Sequence, residues 1–248
     1  MTYSDTKSTL RRRLLGGFVA ATATFALAAC SGGNTNSSAS SPAGGGAYEV
    51  ETDHGIGSVD APVTIVEYAS VVCPACANWN NTVYPDLKEK YVDTGKVRYV
   101  FRPFPTNPIQ LADAGHMIAL CSGDDKFLTS IKYQFERQQQ IMNLARDGKA
   151  REAYLNIAKL SGLSEDEFEA CLVNEELQAE YEAVVQSGVD LGVTGTPGFI
   201  VNGEYTRKTP SGKAFYTLES IEEVILPLLG EPVPAPSDDD NSDTDSAQ

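Results

Sequence analysis

The run Val63-Thr64-Ile65-Val66-Glu67-Tyr68-Ala69 carries a two-residue period. In an extended chain Val63, Ile65 and Glu67 point to one face, and Thr64, Val66 and Tyr68 to the other. The pattern predicts a strand in which Glu67 continues an apolar row. The period then changes: a helical pattern opens at Cys73-Pro74-Ala75-Cys76 and runs to about Val92. Farther on, Leu111, Ala114, Ile118 and Cys121 form one helix face, and Phe127, Leu128, Ile131 and Phe135 another. Ser164-Glu165-Asp166-Glu167 reads as a capping box, followed by Phe168, Cys171 and Leu172 on one stripe. Asn202-Gly203, between short β-type runs, predicts a two-residue hairpin turn. Pro197 stands just before the first of those strands, where proline is tolerated and its peptide bond can be cis. A last helix is predicted from Thr217 to about Leu229, distorted or ended by Pro227.

The two ends have other compositions. Lys7 and Arg11-Arg12-Arg13 precede a weakly apolar stretch, Leu14 to Ala29. That stretch is shorter than the ~20 residues a helix needs to span a bilayer. A basic start with a short apolar run is an export signal. It ends in Leu27-Ala28-Ala29-Cys30, which resembles the bacterial lipoprotein signal. That resemblance makes Cys30 the lipid-modified first residue of the mature protein; the alternative is an ordinary signal peptide. Arg11-Arg12-Arg13-Leu14-Leu15 also resembles a twin-arginine export sequence. Residues 31–47, rich in Ser, Gly, Asn and Ala, read as a flexible tether. Residues 231–248 carry acids and no base and read as a disordered acidic tail. The stretch between, about 48–230, suits one domain. The net charge is −15, and no basic patch suggests a nucleic acid or anionic lipid partner.

Cys73 and Cys76 stand one helical turn apart. With a strand before them and a helix after, Cys73 lies at a helix N-terminus, where unsatisfied N–H groups and the helix dipole favour a thiolate. Cys76 is then placed to attack a mixed disulfide formed at Cys73, as thiol–disulfide exchange requires. Half of a zinc site is the competing reading, but zinc needs four ligands. The chain's two histidines, His54 and His116, lack ligand spacing, so no metal is expected. A buried Glu67 would have a raised pKa and could exchange protons with the cysteine pair; a strand-end glutamate reaching solvent is the alternative.

Three pieces together resemble the thioredoxin superfamily, and more closely the DsbA-like thiol:disulfide oxidoreductases of the bacterial envelope. They are Val-Thr-Ile-Val-Glu-Tyr before Cys73-Pro74-Ala75-Cys76, Val97-Arg98-Tyr99-Val100-Phe101-Arg102-Pro103-Phe104-Pro105, and Gly195-Thr196-Pro197 before the hairpin. The resemblance covers about residues 48 to 230. It implies an α/β thioredoxin fold with a helical insertion, about 106–191, between the two halves of the sheet. It makes Cys73 the nucleophile, Cys76 the resolving cysteine and Glu67 a buried proton carrier. It makes Pro197 a cis proline facing the cysteines, with Thr196 beside it to hold client backbone. Two departures stand out. Ala75 occupies the place where the best-known oxidases carry His, and Thr196 before the proline is as typical of isomerases. Residues 31–47 are too few for the N-terminal dimerisation domain of those isomerases, so a monomer is expected.

Of the five cysteines, Cys121 and Cys171 remain. In an oxidising compartment they are expected to pair as a structural disulfide; two separate core thiols are the alternative. The resemblance implies an envelope enzyme with no cofactor beyond the Cys73–Cys76 disulfide. Its clients would be exported proteins with cysteines, a membrane or envelope redox partner would recycle it, and the lipid at Cys30 would be its one membrane contact. A reductase or isomerase on the same scaffold, and a non-enzymatic chaperone or scaffold lipoprotein, are the alternatives.

Overall fold

A computed structural model describes residues 48–234 of the chain. The expected signal 1–29, Cys30, the tether to residue 47 and the acidic tail from 235 onward lie outside the described residues. Five strands form one sheet in the order β1-β3-β2-β4-β5. They are β1 (His54–Ile56), β2 (Val63–Ala69), β3 (Val97–Pro103), β4 (Gly198–Val201) and β5 (Glu204–Thr206). The central strand β2 is buried along its whole length. It runs parallel to β3, with Val63 opposite Val97 and Ala69 opposite Pro103. It is antiparallel to β4, with Ile65 opposite Val201. The α/β architecture is thus a parallel β2–β3 unit extended by an antiparallel hairpin.

The alternation of β2 divides the core. Val63 and Ile65 pack with Trp79, Tyr99, Phe199 and Ile221 on one face. Val66 and Tyr68 pack with Val100, Val193 and Ile200 on the other. The β4–β5 turn places Asn202 at φ 46° and Gly203 at φ 85°, the left-handed pair a tight hairpin needs. Thr64 N–H also donates to Asn202 Oδ1 at 2.7 Å, so the turn fastens the start of β2.

The β2–β3 crossover departs from the single helix expected to Val92. It is α1 (Pro74–Thr82), then α2 (Tyr84–Leu87), then a π-helical turn over Lys88–Val92. Pro85 supplies the reason: it has no N–H to give to the preceding turn, so the ladder is interrupted at Val83. The wide last turn still buries Tyr91 and Val92.

Six helices lie between β3 and β4: α3 (Ile109–Cys121), α4 (Asp124–Glu136), α5 (Gln138–Arg146), α6 (Ala150–Leu160), α7 (Glu165–Leu172) and α8 (Glu175–Asp190). Phe127, Ile131 and Phe135 of α4 join the main core. Ile118 packs with Tyr154, Ile157 and Phe168 in a second cluster. The Ser164 capping box forms, with Glu167 closing it. Leu172 leaves the buried stripe because α7 ends there, and it is 36% exposed. The final helix α9 (Leu218–Leu228) holds Pro227 in its last turn, where the helix is ending.

Candidate active site

β2 delivers the chain through Ser70-Val71-Val72 to Cys73, the N-cap of α1, with Pro74 in the first helical turn. Proline fits there because its missing N–H has no intrahelical partner to bond. The Cys76 backbone N–H donates to Cys73 Sγ at 3.3 Å. Cys73 Sγ also lies 3.5 Å from the Thr196 carbonyl oxygen. The hydrogen bond from the Cys76 thiol is the main cause that lowers the Cys73 thiol to about 6; burial opposes it, and the Thr196 side chain and the backbone N–H groups of Cys76 and Ala75 add to it. Cys76, with no exposed surface, is driven the other way, first by burial and then by its neighbour Cys73. One cysteine is therefore a thiolate at neutral pH and the other a thiol.

Glu67 lies fully buried in β2. Burial raises its carboxyl to about 8, a hydrogen bond from Tyr99 opposes this, and the charge of Cys73 adds to it. The Tyr99 hydroxyl donates to Glu67 Oε2. Glu67 Oε1 has no hydrogen-bond partner among the described residues. Glu67 also acts electrostatically on Cys76, so the carboxyl and the resolving cysteine sense one another.

Thr196–Pro197 is a cis peptide bond. Pro197 is buried, and the half-buried Thr196 is the residue whose carbonyl meets Cys73. Cys73, Cys76, Glu67, Thr196 and Pro197 thus come together at one end of the sheet. Cys121 and Cys171 do not join them. They form a disulfide with a Cα–Cα distance of 6.0 Å, linking the ends of α3 and α7. Cys171 packs with Met117 and Tyr181, a cluster separate from the one that holds Cys73 and Cys76.

Three supporting residues escaped the sequence reading as site residues. Gln138, at the start of α5, donates its amide to Val71 O at 2.8 Å and to Cys73 O at 2.9 Å. His116 of α3 accepts from Val71 N–H at 3.3 Å, and burial holds its imidazole uncharged with a pKa of about 3. Tyr99 is the third. Its odd register with Val97 in a strand paired to β2 would have pointed it toward the Glu67 face. The other two carry no local signal, because only the fold brings them to the loop. Among the described residues no cluster of three or more His, Cys, Asp or Glu is arranged to hold a metal ion.

Comparison with known proteins bears on the same stretch. The thioredoxin family profile matches residues 49–218. A Rickettsia conorii protein, named provisionally as a protein-disulfide oxidoreductase, is 35% identical over 182 residues, covering 73% of this chain and 62% of its own length. The chain therefore spans about three fifths of that relative. A Bacillus anthracis protein, named provisionally as disulfide bond formation protein D, is 30% identical over 63% of this chain and 72% of its own. The crystal structure of Wolbachia pipientis alpha-DsbA1 superposes with a TM-score of 0.62 at 26% identity, covering 73% of this chain and 93% of that one.

Proposed function

The chain belongs to the thioredoxin family, and from that premise we propose that it is a thiol:disulfide oxidoreductase working through Cys73 and Cys76. The observation that carries the reading is the opposed pair of thiols, one lowered to about 6 at a helix N-cap and one raised by burial behind it. A client thiolate attacks Cys73 of the oxidised pair, forming a client–Cys73 disulfide and breaking the Cys73–Cys76 bond. Cys76 leaves as a thiolate and takes a proton, with Glu67 as the buried donor. A second client thiolate then attacks the client sulfur and releases Cys73 as a thiolate. The client gains a disulfide and the enzyme becomes a dithiol. No cofactor is required beyond the cysteine pair.

A leaving group with a low pKa favours release of Cys73, and its thiolate stabilises the reduced enzyme. This supports oxidation of clients as the working direction over reduction or isomerisation. Thr196 and Pro197 border Cys73 and serve as the client-backbone contact. Cys121–Cys171 serves as a structural disulfide. The clients are exported proteins with cysteines, and an envelope redox partner reoxidises the dithiol. A lipid at Cys30 tethers the domain, as a monomer, outside the cytoplasm. The described residues contain no helix long and apolar enough to cross a membrane.

Equilibration with glutathione tests the direction. The expected potential is less negative than the roughly −220 mV end of the cytosolic glutathione range, and a value near the about −270 mV of thioredoxin would overturn the oxidative reading. Cys73→Ser should abolish exchange, and Cys76→Ser should trap client mixed disulfides.

A further inference from the structure

Among the described residues most of the cations of this acidic chain are held in ion pairs. Lys90 meets Glu222 at 2.6 Å, Arg98 meets Glu49 at 2.8 Å, and Arg102 meets Asp53 at 2.6 Å. Even in the loop after β5, Lys213 is 3.8 Å from Glu223. Arg207 and Lys208, adjacent in that same loop, are both exposed and stand outside all the ion pairs of the described residues. They are not loosely hung. Lys208 pairs with Ala214 in an antiparallel bridge, and Thr209 N–H donates to Lys213 O at 2.9 Å.

These two cations line a cavity of about 570 Å³, whose walls include Thr196, Pro197, Tyr205 and Tyr216. That volume falls within the range of ~300–1,000 Å³ typical of ligand clefts. Thr196, one wall of the cavity, has its carbonyl 3.5 Å from Cys73 Sγ, so the cavity shares a residue with the surroundings of the reacting sulfur. A polypeptide whose cysteine engages Cys73 and whose backbone runs along Thr196 brings its flanking residues to this cavity. Tyr205 and Tyr216 offer apolar faces there, and Arg207 and Lys208 offer positive charge that no ion pair of the described residues engages.

We propose that this cavity selects acidic polypeptide segments: Arg207 and Lys208 bind an aspartate or glutamate side chain near the client's reacting cysteine. The proposal rests on the reading of Cys73–Cys76 as the exchange site and adds to it a substrate class. The interaction is exposed, so it acts mainly on encounter and is screened by salt.

The test uses the oxidised full chain and two dithiol peptides that differ only in having Asp or Lys beside the cysteine. The ratio of kcat/KM for the two is measured at low and high salt. The wild type should favour the Asp peptide by roughly threefold to tenfold at low salt, the scale of one or two exposed ion pairs. High salt should shrink the ratio. The double variant Arg207→Gln with Lys208→Gln should bring it near one, and Arg207→Glu with Lys208→Glu should invert it. A ratio of one in the wild type, or a preference that survives in both variants, overturns the acidic selection while leaving exchange intact. Absence of Cys73-dependent exchange with either peptide and with dithiothreitol overturns the redox reading itself, and the selection with it.

Discussion

Glu67 carries the clearest pH signature of any single residue. Its folded pKa of about 8 lies above the ~4.3 of a free glutamate, so the folded state binds the extra proton. Stability from this group is therefore fully present below about pH 4.3 and is lost as pH rises through about 8. Glu67→Gln should remove that loss. The variant should gain on the wild type between pH 5 and pH 9 by roughly 3–5 kcal/mol in denaturant titrations. A constant difference across that window would show that the carboxyl does not titrate in the fold. In kinetics the same variant should slow exchange and lose the limb of the pH–rate profile near 8. Tyr99 supplies the complementary test. Its hydroxyl stabilises the carboxylate, so Tyr99→Phe should push the Glu67 limb upward by roughly one pH unit. A profile unmoved by Tyr99→Phe would remove Tyr99 from the proton path. The sequence alone marked Cys73, Cys76 and Glu67 because each sits within a local pattern: a four-residue motif or a period of two. Tyr99 needed the pairing of β2 with β3.

At the scale of elements, the inserted helices help hold the Val71–Cys73 loop as well as lengthen the chain. Gln138 at the head of α5 and His116 of α3 both reach the Val71–Cys73 segment. Neither was legible, since 65 residues separate Gln138 from Cys73 and nothing local marks an amide that will meet a distant carbonyl. The existence of α3, α4, α7 and α9 was legible from apolar stripes and capping. The splitting of the β2–β3 crossover was not, although Pro85 stood in the pattern: the apolar positions kept a helical period across the break. The three-residue β1 is too short for a period to show. Gln138→Leu should cost about 1–3 kcal/mol, two carbonyls losing their shared donor. It should also raise the Cys73 thiol from about 6, because the N-cap turn loses a tie on its own carbonyl. Thiolate absorbance of Cys73 in a Cys76→Ala background reads this. Unchanged thiol titration in Gln138→Leu would reduce Gln138 to a packing contact.

For the whole molecule, the question is what keeps an insertion larger than the sheet's own helices docked. Burial alone is divided: the second apolar cluster lies within the insertion, while α4, with Phe127, Ile131 and Phe135, and α3, with Ala112 and Ala119, reach the main core. The Cys121–Cys171 bridge closes 50 residues of sequence, tying α3, whose Ala112 and Ala119 join the main core, to α7, whose Phe168 belongs to the second cluster. A loop of that length constrains the unfolded chain by about 4 kcal/mol in the entropy model. The bridge belongs to a cluster apart from Cys73 and Cys76, so its loss falls on stability first. Non-reduced peptide mapping of the oxidised protein should find Cys121 joined to Cys171. The double variant Cys121→Ala with Cys171→Ala should unfold about 2–4 kcal/mol more easily. Well below its melting point it should retain most of its exchange rate and the Cys73 thiol near 6. Equal loss of stability and of exchange would mean that the bridge holds the catalytic loop as well, through Tyr181, which touches both Cys171 and His116. Free thiols at both positions in the oxidised protein would dismiss the bridge altogether and leave α7 held by packing alone.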